Sequence, residues 1–236
     1  MSNALYLTFD IYNIPNYSIR SNIYKVLKDS QELGWLIIQE FQFDKQDLLT
    51  ILSLISQTLR HSNPTVVGID GMAGAGKSTL VSKLRSAIKN TQTVELDDFY
   101  RPATKFTADP NNIKNTYDQY FDWNRLISTV LVPIQNGFES RYMKFDWNAN
   151  KFNEEEKELY PDSVIFIDGV YAIHPNLRPY LQVKIYVETP EPVRSSRILC
   201  RNYEDSSWYE LWKTVENWYI DYHQPDKHAD IIVAGY

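Results

Sequence analysis

The chain is short of several residue types on which whole classes of protein depend. Its 236 residues include a single cysteine, Cys200, which leaves no internal disulfide and no cysteine-built metal cluster. Lysine and arginine number 24 against 30 acidic residues, a net charge of −6 that argues against nonspecific nucleic-acid binding as the main task. A local basic pocket for one phosphate is compatible with that balance. Apolar runs such as 35–38 and 164–167 are far too short to span a bilayer. The opening residues, MSNALYLTFD, lack a basic segment followed by an apolar run, so no signal peptide is expected. The expectation is a cytoplasmic chain with neither a membrane nor a nucleic acid as partner. Glycine is scarce as well, eight in all, yet Gly68, Gly71, Gly74 and Gly76 fall within nine residues.

What is present suits a packed core: 43% hydrophobic and 14% aromatic residues. Residues 1–63 read as an N-terminal extension of unknown role, with extended apolar stretches at 5–9 and 34–43. Leucine and isoleucine at helical spacing predict a helix over 44–60, with Asp44 placed to cap it. From residue 64 onward short apolar runs alternate with helical stretches. Strands are predicted at 65–70, 93–97, 164–168, 183–187 and 230–233, and helices at 77–90, 123–135, 192–202 and 208–222. Most of these strands run aliphatic or β-branched with little alternation, as strands covered on both faces do. The pattern predicts an α/β fold with a mainly parallel five-stranded sheet between helical layers. The charged segment 148–157, NANKFNEEEK, reads as a solvated loop or a helix start.

The glycine cluster lies in GIDGMAGAGKSTL at 68–80, between a predicted strand and a predicted helix. Residues Gly71, Met72, Ala73, Gly74, Ala75, Gly76, Lys77 and Ser78 fit G-x-x-x-x-G-K-[ST] at every fixed position, with Thr79 following. Glycines let backbone N–H groups turn inward as an anion nest at a helix N-terminus. A lysine there neutralises β- and γ-phosphate charge, and a serine hydroxyl can ligate Mg²⁺. A nucleoside triphosphate with Mg²⁺ is therefore expected at this loop, and the kinase reading reached below makes ATP and Mg²⁺ the expected cofactors.

Such a loop serves kinases, GTPase switches and ATP-driven machines alike. The N-K-x-D and D-x-x-G motifs of GTPases and an LSGGQ signature are absent from the sequence. LDDFYRP at 96–102 is present, at the end of the second predicted strand. A carboxylate there faces the crevice where ligands bind in open α/β sheets, and it can orient a substrate hydroxyl toward a γ-phosphate. Asp97 fills that place; Asp98 reads as solvated or structural. Asp168 ends an apolar strand, where an unpaired acid is costly without a metal or partner. Arg194, Arg197 and Arg201 share one face of a predicted helix, either as a solvated basic face or as a lid facing phosphates. His174 reads as structural, and His223 and His228 lack the company a metal site needs.

Taken with NTYDQYFDWNRL at 115–126, the long segment 164–202 and DKHADIIVAG at 226–235, these motifs resemble the uridine kinase and phosphoribulokinase family of P-loop kinases. The resemblance spans most of 65–235. It implies a P-loop NTPase fold, three layers α/β/α with a helical lid, in a kinase domain over 64–236. It also implies roles: Asp97 as the catalytic carboxylate, Tyr100 as an aromatic substrate contact, Asp118 as the acid holding ribose hydroxyls, and Asp168 near the magnesium site with Ser78. Lys77 and Arg201 join Asp97 in catalysis, and Arg197 reaches the nucleotide.

The segment that would read a pyrimidine departs from the family. Phe145 and Asn150 stand where a tyrosine and a histidine are usual, and Arg141, Tyr142 and Asp146 are further acceptor-contact candidates. Phe145 can stack on a base or simply pack in the core. The acidic motif around Asp118 is also shorter than the family's. The expected function is an ATP-dependent kinase of a small-molecule hydroxyl, foremost uridine or cytidine. Another alcohol, such as a sugar phosphate, a pantothenate-like compound or another nucleoside, stays open, as does a non-kinase nucleotide-binding regulator. A homo-oligomer is expected by analogy alone.

Overall fold

A computed structural model describes residues 43–59, 64–101, 109, 111–147, 149–200 and 206–235, without the side chains of 206–208. The stretches predicted at 5–9 and 34–43, except Phe43, and the candidate Arg201 lie outside the described residues. The first described helix, α1 (Lys45–Leu59), starts where a side chain can satisfy its free amides: Asp44 Oδ1 accepts from the Gln46 N–H at 2.7 Å.

Five strands then form one sheet: β1 (Thr65–Asp70), β2 (Thr91–Glu95), β5 (Val164–Asp168), β6 (Val183–Glu188) and β7 (Ile231–Ala234). Their order is β2-β5-β1-β6-β7, and every pairing is parallel. β1 and β5 are buried at every position, as their unbroken apolar runs require. Helices cover both faces. On one, Ile51, Ile55 and Leu59 of α1 and Leu80, Val81 and Leu84 of α2 (Lys77–Ala87) share a core with Val67, Ile69, Phe166 and Ile185. On the other, Val66, Val94, Ile165 and Ile167 meet α3 (Ile113–Tyr120), α4 (123–135) and α6 (Ser206–His223) through Tyr117, Tyr120, Leu126, Val130, Val215 and Tyr219. The remaining helix, α5 (Glu191–Leu199), follows β6.

Within α4 the turn Ile127–Leu131 widens to a π-helix between Trp123–Leu126 and Val132–Gln135. Pro133 has no N–H to offer the Thr129 carbonyl, which instead accepts from Ser140 Oγ.

Two expectations need correction. From residue 151 the charged segment is neither loop nor helix start: Lys151–Leu159 forms β4, antiparallel to β3 (Ser140–Asp146). Its acids Glu154, Glu155, Glu156 and Glu158 are exposed, while the backbone pairs with β3; charge density reported the exposure of the side chains and not the state of the backbone. The second strand ends at Glu95, two residues early, because Glu95 is the last residue with a partner, Asp168, on β5. Asp97 therefore sits in the 3₁₀ helix Leu96–Phe99 just beyond the strand. Of the two readings of Asp98 the structural one holds: it is buried, and its Oδ2 accepts from the Tyr142 hydroxyl at 3.1 Å, with Lys144 at 3.9 Å.

Candidate active site

The loop between β1 and α2 needs glycine for two measurable reasons. Gly71 has φ of +144°, and a Cβ there would lie 2.4 Å from the Val187 carbonyl oxygen. Gly74 has φ of +76°, and its Cβ would lie 2.7 Å from the Arg194 carbonyl oxygen. Left-handed backbone and this lack of room both exclude a side chain. The loop so formed enters α2 at Lys77, leaving first-turn amides free for an anion.

Lys77 is 9% exposed and folds back over the loop, donating to the carbonyls of Gly71 at 2.7 Å and Met72 at 3.1 Å. Its charge acts on four carboxylates at once, those of Asp70, Asp97, Asp168 and Glu216. Asp168, beside Glu95 on β2 and Ile69 on β1, closes the carboxyl edge of the sheet. Its Oδ1 is buried with no hydrogen-bond partner, and the exposed Ser78 supplies a hydroxyl contact. Burial raises the Asp168 pKa, while Lys77 and Ser78 pull it down.

Asp97 opens to the crevice, yet protein surrounds it closely. That crowding pushes its pKa up to about 6 against the pull of Lys77, with Asp168, Glu95 and Asp98 adding to the rise. A carboxylate poised there is ionised at neutral pH and still basic enough to receive a proton. Asp97, Lys77, Ser78 and Asp168 are thus brought together. Among the described residues no three His, Cys, Asp or Glu side chains converge as a self-sufficient metal site.

Other sequence candidates fall elsewhere. Arg197 reaches the loop from behind: Nη1 donates to the carbonyls of Gly74 at 3.1 Å and Gly235 at 2.8 Å. Arg194 is buried and donates to Thr189 and Ala73 carbonyls. In this arrangement both arginines donate to backbone carbonyls around the loop. Asp118 is exposed on α3, paired with Lys114, and its electrostatic neighbours are Tyr117 and His223. Arg141 is exposed on β3 opposite Glu158 at 3.1 Å. Phe145 is buried among Tyr100, Trp147 and Phe152, whereas Trp147 is 49% exposed and packs tilted against Tyr100 at 4.5 Å. Tyr100 itself is buried against Tyr120 and Phe121. His174 stacks on Trp123 at 4.1 Å and is pushed down to about 3 by burial, a packing role.

Two acids escaped the sequence reading. Asp70 is fully buried and accepts from the amides of Gly71 (2.6 Å), Tyr171 (3.0 Å) and Ile173 (2.8 Å) and from the Tyr219 hydroxyl (2.7 Å). It ties the loop to the turn after β5 and to α6. Like Asp168, it ends an apolar strand, and the same cost argument would have flagged it. Glu216 of α6 accepts from the Ala73 amide at 3.0 Å, and burial lifts its pKa to about 7. Its signal was an acid between Trp212 and Tyr219 on an apolar helix face.

Comparison with known proteins bears on the family and the fold. The family model described as phosphoribulokinase / uridine kinase family matches residues 66–234. A uridine kinase of Macrococcus caseolyticus is 28% identical, the match covering 73% of this chain and 88% of that protein. Uridine-cytidine kinase B of Dictyostelium discoideum is 26% identical over 75% of this chain and 77% of its own length. A solved structure from Bacillus stearothermophilus, described as a possible uridine kinase, superposes with a TM-score of 0.60 at 19% identity, covering 79% of this chain and 97% of that one.

Proposed function

The chain belongs to the phosphoribulokinase / uridine kinase family, and from that premise we propose that it transfers the γ-phosphate of ATP to a hydroxyl of a small molecule, with a nucleoside such as uridine or cytidine as acceptor. The observation that carries this reading is the meeting of Lys77, Ser78, Asp97 and Asp168 where β1, β2 and β5 end. The names of the similar proteins support a nucleoside over other alcohols.

In this reading the loop amides of 71–77 cradle the phosphates, and Lys77 leaves its carbonyl contacts to meet the β- and γ-phosphate oxygens. The Ser78 hydroxyl and the orphaned Oδ1 of Asp168 fit Mg²⁺, with the remaining ligands coming from phosphate and water. Mg²⁺ bound there supplies charge neutralisation at the phosphates. Asp97 orients the acceptor hydroxyl and takes its proton as the oxygen bonds to phosphorus and the bond to ADP breaks. No covalent intermediate on the protein is required, so the rate enhancement comes from positioning and electrostatics.

A coupled ADP-release assay across nucleosides, sugars and pantothenate tests the proposal. Turnover stimulated by uridine or cytidine is expected. Stimulation by a sugar and by no nucleoside would retire the nucleoside reading, and no stimulation by any acceptor would favour a nucleotide-binding regulator.

A further inference from the structure

Glu216 is 1% exposed, and its two carboxylate oxygens are unequally satisfied. Oε2 accepts from the Ala73 amide of the phosphate loop at 3.0 Å, while Oε1 is buried and receives no well-formed hydrogen bond, the Trp212 side chain lying near enough only to favour the ionised carboxylate. One turn earlier on α6, the Trp212 ring packs against Tyr120 at 4.7 Å, against Tyr100 and Tyr171 at 6.0 Å each, and against Phe121 at 6.2 Å. The Tyr171 hydroxyl also lacks a hydrogen-bond partner and lies within electrostatic reach of Glu216. Tyr100 follows Asp97 by three residues, so this aromatic wall borders the proposed acceptor side. The carboxylate stands between that wall and the loop that holds the transferred phosphate.

Bracing the loop needs Oε2 alone. A buried carboxylate oxygen left unpaired is unfavourable, and it persists where a ligand completes it. We propose that Glu216 is an acceptor-binding residue whose Oε1 takes a hydrogen bond from a second hydroxyl or N–H donor of the acceptor, tying the acceptor's position to the phosphate loop. The substrate class that fits carries at least one donor besides the hydroxyl that is phosphorylated. This inference rests on the kinase reading above.

The decisive variant is E216Q. Its amide can turn the oxygen to the Ala73 N–H, which keeps the loop contact, and it then presents an NH₂ donor where an accepting oxygen stood. Steady-state kinetics should be run with ATP and with the acceptor that turns over fastest in the panel above. The KM for that acceptor is expected to rise about tenfold, the scale of one lost hydrogen bond to a charged group, with the KM for ATP within about twofold of wild type. Should E216Q not fold, E216D draws both carboxylate oxygens back by one methylene and is expected to raise the acceptor KM by a larger factor than the KM for ATP. An unchanged acceptor KM, or an ATP KM that rises as much, would make Glu216 a loop brace and overturn the assignment while leaving the kinase reading intact. Absence of acceptor-stimulated turnover in the wild type would instead overturn both.

Discussion

At Asp97 the proposed chemistry and the stability of the fold pull in opposite directions. Its pKa is raised from 3.8 to about 6 by crowding and by neighbouring acids, so the folded state holds this proton more tightly than the unfolded chain does. The associated stability is fully present below pH 3.8 and is lost as the pH rises through about 6. At pH 8 the ionised carboxylate therefore costs stability, and Asp97→Asn removes that cost together with the proposed base. The variant should lose about 10²–10⁴ in kcat while its ATP affinity stays near wild type. It should also melt at a higher temperature than wild type, by a margin wider at pH 8 than at pH 5. Thermal scans at both pH values check this second half; a variant less stable at pH 8 would show that Asp97 is held by contacts that the carboxylate itself provides.

Among elements, the phosphate loop depends on parts of the chain remote from it. Its front was legible in sequence, since glycine spacing and the following lysine and serine are local features. Its supports were not. Asp70 meets Tyr219 across 149 residues, and Glu216 meets Ala73 across 143. No short-range pattern records such a pairing; only the cost of an acid on an apolar strand or helix face hints that a partner exists. The helix α5 carries the same lesson. Its arginine spacing was legible, but their direction depends on where the loop carbonyls of Ala73 and Gly74 point. Arg197→Ala should therefore raise the KM for ATP several-fold and lower the melting temperature of the nucleotide-free protein. A pure lid arginine would reduce kcat and leave the nucleotide-free melting temperature unmoved, so the pair of measurements separates the two roles.

For the whole molecule, the parallel sheet was readable because strands covered on both faces leave unbroken apolar runs. The β3–β4 ribbon was not, because an exposed strand face admits as many charges as a loop does. The helix α1 was readable as a helix, but its duty emerges only from packing. Ile51, Ile55 and Leu59 cover the sheet face formed by Val67, Ile69 and Ile185, directly behind the strand that ends in Asp70 and the phosphate loop. Ile55 is fully buried, so Ile55→Ala should lower the unfolding free energy by about 2–5 kcal/mol, through lost transfer energy and the cavity left behind. Urea titration should show the earlier midpoint at an unchanged slope, as expected when the folded and unfolded surfaces stay the same. Because the cavity lies on the face of the sheet opposite Tyr117, Tyr120 and Tyr219, the acceptor KM should not move below the unfolding transition. A loss smaller than about 1 kcal/mol would mean that α1 is a detachable cover and that the sheet retains its core without it.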